Sequence, residues 1–340
     1  MKHMKWLLGL ALMLLLLKYP EAAATGALHG AAQWYVNVAP ALFPFMALLP
    51  LITCKEALEV YEKWLGRPMR ALFRLPGAAA PAFVVGMLAG SPAGALAVRQ
   101  AAASSEMTEG QVQRLATAVC GLSPAYLIGG IGARLLGDPA KGHMLFRAQV
   151  FTQIALVLML RISGAAHAQK VYIIERNRDV PSVRGAVMGV LGVCGYMALF
   201  GAVAGAGCQL AGETAGRALL CILDLPSGAA IAAQRVPTAW RLPALAGMCG
   251  FGGGCVMAQN VGALRDCGLR PVRFCACRFL AAALNTGFVW INMTLSMHYG
   301  EFYEVSPLQI STIIAAFMAI PAVIRLKNQI INKRKLSETA

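Results

Sequence analysis

The chain has 340 residues, 58% hydrophobic and 13% charged, with a net charge of +15 and a mean hydropathy of +0.62. A soluble domain carries about 25% charged residues, so a soluble globular protein is excluded. No recognition motif accompanies the positive charge, so we expect no nucleic-acid partner. The composition fits an all-α polytopic membrane protein, in which Lys and Arg mark loop sides and meet anionic lipids.

A spanning helix needs roughly 20 mostly apolar residues, because the hydrocarbon core is about 30 Å thick. The first candidate is 4–19. Its basic start, apolar run and small residues have the form of a signal peptide. The later spans favour a retained helix, with Lys18 snorkelling at its end. We read a linker to residue 35 and a span over 36–54. The stretch 55–75 places Lys55, Lys63, Arg67, Arg70 and Arg74 among apolar residues at helical spacing. That predicts a helix lying on the inner membrane surface.

Residues 77–98 are long enough to cross, but "GSPAG" at 90–94 interrupts them. Pro92 removes a backbone donor, and flanking glycines disfavour helix. After a polar linker over 99–114, the apolar segment 115–136 is broken by "CGLSP" at 120–124, and 145–160 spans again. The loop 161–184 carries Arg161, Lys170, Arg176, Arg178 and Arg184 and is expected in the cytoplasm. A span over 185–208 follows. Segment 218–234 is broken by "DLPSG" at 224–228, and segment 242–264 by "FGGG" at 251–254. The basic loop 265–273 is expected inside, 274–295 spans, 298–304 is acidic and expected outside, and 307–324 leads to a basic cytoplasmic tail. Both termini are then cytoplasmic.

The loops at 55–75 and 161–184 share a side, so an even number of crossings separates them. Three apolar segments lie between. The count closes if 77–98 is a re-entrant hairpin, and by the same argument if 218–234 is a second one entering from the opposite side. The prediction is about eight transmembrane helices plus two re-entrant hairpins. The units are 1–35 (first helix and linker), 36–160 (first repeat), 161–184 (cytoplasmic loop), 185–295 (second repeat) and 296–340 (last helix and tail). Each repeat runs span, hairpin, broken helix, span, and the two start on opposite sides. "SPAGALA" is echoed by "PSGAAIA", and "AVCGLSPAYLIGG" by "GMCGFGGGCVMAQ". An inverted repeat is the plan of many secondary transporters.

Broken helices are tolerated in a membrane only where they are buried in protein or line a watery cavity. Half-helix N-termini present free N–H groups and suit anions. The four breaks, converging near the midplane, make Ser91, Gly94, Ser123, Ser227, Gly228, Gly253, Gln259 and Asn260 the candidate substrate-binding residues. Asp224 is an acid inside an apolar segment, and is read as a coupling-ion or proton site or the partner of an arginine; a helix cap is the rival. Arg278 within its span either snorkels or is functional. Gln153, Asn285 and Thr286 are read as interhelical hydrogen bonds. The ten cysteines, mostly in apolar segments, are read as packing residues, and the five histidines are scattered. We expect no metal site, no cofactor and no catalytic residue: HExxH, GxSxG and a close Asp pair are absent from the sequence.

On these residues the chain resembles a known family. "VAPALFPFMALLPLI", "FRLPGAAAPAFVVGMLAGSPAGALAV", "GLSPAYLIGGIG" and "FGGGCVMAQ" are similar, in order, to stretches of the YlbJ-like sporulation integral membrane proteins. These belong to the nucleoside-recognition (Gate) superfamily, with the concentrative nucleoside transporters and spore maturation proteins. Ser91 and Leu96 stand where the family has tyrosine and lysine, Gly121 and Ser123 where it has asparagine and glycine, and Asp224 to Gly228 where it tends to "EvtnG". The resemblance implies transport of dipicolinate, a planar dianion, across the outer forespore membrane during endospore formation. The trimers among the nucleoside transporters leave a homo-oligomer open. Transport of a nucleoside or other small solute is the second reading. A non-transporting scaffold for spore assembly is the third, and the short loops argue against it.

Overall fold

The computed structural model describes residues 2–299 apart from 53, 106 and 163–182. Most of the expected cytoplasmic loop 161–184, the last span 307–324 and the basic tail lie outside the described residues.

The described chain is helical throughout. Helix α1 (Lys2–Lys18) bends into α2 (Pro20–Gln33), which runs through a π-type turn, Trp34–Val38, into α3 (Ala39–Ile52). Then come α4 (Lys55–Pro68), extended by a π-type turn Met69–Phe73, and the pair α5 (Ala80–Ala89) and α6 (Ala93–Ser104). Next are α7 (Glu109–Val119), a π-type helix Ala125–Leu135, and α8 (Pro139–Ile162). The remainder is α9 (Val183–Leu223), α10 (Leu225–Arg235), α11 (Thr238–Phe251), α12 (Gly253–Ala263) and α13 (Pro271–Tyr299).

Four stretches are long and apolar enough to cross a membrane: Pro139–Arg161, Arg184–Leu223, Thr238–Ala263 and Pro271–Met297. Two bent pairs raise the number to six: Trp6–Lys18 with Pro20–Val38 at 104°, and Glu56–Phe73 with Gly77–Ala89 at 91°. The described residues therefore hold four to six candidate spans, against seven of the eight expected from sequence, the eighth, 307–324, lying outside them. One reason is physical. The segment expected at 115–136 is two half-helices, α7 and the π-type helix, and neither is a long apolar rod.

The segment 20–35, expected as a linker, is instead helix α2, with Pro20 suited to a first helical turn. It is poor in bulky side chains because it crosses α9 at backbone contact. A Cβ on Gly26 would strike the carbonyl oxygen of Gly201, and one on Gly30 that of Met197. In return, a Cβ on Gly201 would strike the oxygen of Gly26, and one on Gly205 that of Ala22. Small residues four apart on both helices let membrane helices approach closely and gain dispersion energy that lipid does not supply. Beyond the crossing, Trp34 Nε1 donates to Val190 O at 2.9 Å.

In helix α4, Val60, Trp64 and Leu65 are exposed beside Lys63 and Arg67. Glu62 anchors it to the next segment by accepting from Gly77 N at 2.6 Å, and also accepts from Arg70.

The arms of α5 and α6 are each about 15–18 Å long, half of what a crossing requires. They fold back on each other around Gly90, and a Cβ on Gly94 would lie 3.1 Å from the Cα of Gly86. A second hairpin has the same form. Gly212, at φ 77°, ends the first part of α9, so its last turns pair with α10 about Asp224. There a Cβ on Gly228 would lie 2.5 Å from the Cα of Cys221.

Outside the apolar segments, Asp138 begins α8 by accepting from Ala140 N at 2.9 Å and pairing with Lys141 at 3.3 Å. Slight desolvation pulls its carboxyl up, but the Lys141 bond and the Ala140 N–H hold it below the ordinary carboxylate value.

Candidate solute site at the helix breaks

A break leaves backbone N–H and C=O groups without helical partners. Each hairpin tip meets the break of the broken helix that follows it in sequence. In the first half, Ser91 N donates to Gly121 O at 2.6 Å, and a Cβ on Gly90 would lie only 2.4 Å from Ser123 N. In the second half, a Cβ on Gly253 would lie 3.2 Å from Leu225 N, at the tip of the second hairpin. Gly90 and Gly253 both have positive φ, 69° and 82°, which a side chain rarely accepts.

The long helix after each broken one supplies the missing partners. Gln149 on α8 donates through Nε2 to Leu122 O at 2.6 Å and accepts from Leu122 N at 3.0 Å. The amide thus replaces the helical ladder at "CGLSP". Arg278 on α13 donates to Phe251 O at 3.2 Å and to Cys249 O at 3.3 Å, closing the C-terminal end of α11. A cation at a helix C-terminus also meets the negative end of its dipole. Asn285 and Thr286 donate to Ala246 O and Pro243 O at 3.3 and 3.2 Å, the interhelical role expected of them.

A cavity of about 110 Å³ lies where the breaks converge. Its wall includes Ser91 of the first hairpin, Ser123 of the π-type helix's break, Asp224 of the second hairpin and Gln259 of α12. Water needs only about 10–15 Å³ of such space, so several waters or one small solute fit. The asparagine in the π-type turn, Asn37, and Tyr126 complete the polar lining.

The candidate residues separate into four groups. Ser91, Ser123, Asp224 and Gln259 line the cavity. Ser227 lies just outside it, on a second and wider space described below. Asn260, 1% exposed, does not line the cavity; its Oδ1 accepts from Ser91 Oγ at 2.5 Å and so holds that hydroxyl. Gly94, Gly228 and Gly253 serve close backbone packing: a Cβ on Gly94 would strike Val119 O, and one on Gly228 the Cα of Cys221. Asp224 is the N-cap of α10, accepting through Oδ2 from Ser227 N at 3.1 Å and Ser227 Oγ at 2.5 Å. Its pairing with an arginine does not occur among the ion pairs of the described residues, and Arg278 binds carbonyls instead.

The sequence reading missed Asn37, Tyr126 and Gln149. Asn37 is the one amide in "WYVNVAPALF", and Tyr126 follows "CGLSP" directly. A lone polar residue inside an apolar run was the available signal.

The class this fold and site define is a polytopic helical membrane protein with broken helices meeting at a polar-lined cavity. Compared with known proteins, the chain is similar to the sporulation integral membrane protein YlbJ of Bacillus subtilis (strain 168), 24% identical over 165 residues. The matched part is 48% of this chain and 40% of YlbJ, so it spans less than half the length of that protein. No family model matches the chain, and no solved structure matches it.

Proposed function

We propose that this protein is a membrane transporter of a small organic anion, with dipicolinate as the solute, acting during endospore formation. The observation that carries the reading is the convergence of the hairpin tips and the broken helices on one cavity. Buried half-helix ends there are costly unless they border a watery path or a bound solute. Serine hydroxyls and the Gln259 amide offer donors to carboxylate oxygens. The similarity to YlbJ supports a place in sporulation, and the outer forespore membrane is the membrane we assign.

We read residues 36–160 and 185–295 as an inverted repeat. In support, hairpin, broken helix and long helix recur in one order in both halves, and each hairpin tip meets the break that follows it. Alternating access would then rock one part of the bundle about the paired hairpins. Both termini are assigned to the cytoplasm, α4 to anionic lipid at the inner surface, and a homo-oligomer remains an outcome to be measured.

Asp224 faces the cavity, and a carboxylate opposes a dianion unless a proton or cation accompanies it. Uptake is therefore expected to follow an imposed proton or sodium gradient. Asp224→Asn keeps an N-cap acceptor, so it should fold normally and lose the gradient dependence. The decisive experiment is uptake of labelled dipicolinate into proteoliposomes, with labelled uridine as the control. Uptake that spares uridine supports the anion reading. Uridine uptake moves the protein to nucleosides, which the neutral amides of Asn37 and Gln259 also suit. Uptake of neither solute by folded protein leaves the scaffold reading.

A further inference from the structure

A wider space of about 480 Å³ adjoins the inner cavity. It lies between α2, the π-type turn, the π-type helix and the second hairpin. Asn37, Tyr126 and Pro226 line both spaces and form the wall between them. Its polar lining is His29, Gln33, Asn37, Tyr126, Arg134 and Ser227, and no carboxylate lines it. Arg134 is thus its permanent charge.

The guanidinium of Arg134 is held but not neutralised. Its NH1 group donates to Asn37 Oδ1 at 3.1 Å, and Asn37 Nδ2 donates in turn to Gln33 Oε1 at 2.7 Å. That relay fixes the Asn37 amide with its oxygen toward the arginine. Arg134 is exposed and takes part in none of the ion pairs among the described residues. A guanidinium has five N–H donors, and the Asn37 bond uses one. The remaining edge is free for a carboxylate, which guanidinium binds through two parallel bonds. The inner cavity, by contrast, is lined by an acid and no cation.

The geometry points to this vestibule as a capture site for small carboxylate anions, with Arg134 as the residue that draws and orients them before they pass the Asn37–Tyr126 wall. Selection for charge then occurs outside the inner cavity, and hydrogen bonding follows inside it. The identity of the solute rests on the transport reading above; the anion-drawing field does not.

The test uses the full chain in nanodiscs, with Ala230→Cys as a reporter, because Ala230 lines the vestibule and is partly exposed. Anionic and cationic methanethiosulfonate reagents are compared, and modification is read by mass spectrometry on the peptide bearing position 230, so native cysteines do not contribute. With each rate divided by that reagent's rate on a free small thiol, the anionic reagent is expected to react roughly tenfold faster than the cationic one, a steering effect that falls as salt is raised. Arg134→Gln should bring the ratio to about one, and Arg134→Lys should keep most of it. If the ratio ignores Arg134→Gln, or the unsubstituted vestibule shows no salt-sensitive preference, the inference is overturned and Arg134 merely snorkels. Dipicolinate added as a competitor separates the two claims. Protection that Arg134→Gln removes supports both. A charge-dependent ratio without protection keeps the vestibule as an anion site and removes dipicolinate as its solute.

Discussion

At the scale of single residues, the site depends on who holds whom. Ser91 presents its hydroxyl to the cavity wall, yet donates its proton to Asn260, which is almost fully buried. Ser91→Ala would strand that amide oxygen, and an unmatched buried acceptor costs about 1–3 kcal/mol. Thermal unfolding in detergent should show this loss. Adding Asn260→Leu should restore part of it, since removing both partners is milder than removing one. A double variant as unstable as the sum of the singles would mean that the pair is not coupled. Asp224 works in the same way: the acid that stood out in the sequence is engaged by Ser227 as a helix cap. The residue types at the site were legible because acids, amides and serines are rare in apolar runs. Their assignments to cavity or scaffold were not, because that depends on which neighbour a side chain meets across the fold.

At the scale of elements, the breaks were the most readable feature. Glycine and proline fix where a helix cannot continue, and all four predicted interruptions are helix ends in the structure. What sequence did not show was the repair: Gln149 and Arg278 sit on long helices whose pattern is ordinary. Helix α2 was missed for the opposite reason. Its alanines and glycines read as a linker when judged by apolar bulk, although small residues are what a tight crossing requires. The start of α8 offers a pH test. The Asp138 carboxyl lies below its ordinary value in the folded chain, so its contribution is complete above the ordinary carboxylate range and is lost as pH falls through the lowered value. Asp138→Asn should therefore lower the melting temperature slightly near neutrality and make no difference in strong acid. The effect is small because the Lys141 pair is exposed. A difference that grows on acidification would contradict the assignment.

At the scale of the whole molecule, the crossing of α2 and α9 has a consequence for what the protein admits. The turn after α2 carries Asn37, and α9 carries Val193 and Met197; all three line the inner cavity. Their spacing is set beside them, where Gly30 rests on the backbone of Met197 and Gly26, one turn further along α9, on that of Gly201. The glycines act as a calliper. A single methyl at either position would push α2 off α9 and shift Asn37 relative to Val193 and Met197, with every lining residue keeping its identity. Gly26→Ala is thus expected to shift the balance of uptake toward bulkier solutes while Gly192→Ala, with open space around it, leaves selectivity unchanged. Competition assays with a graded series of aromatic carboxylates would measure the gauge. On the transport reading, solute size is recorded in the chain as the absence of side chains, at positions outside the cavity lining.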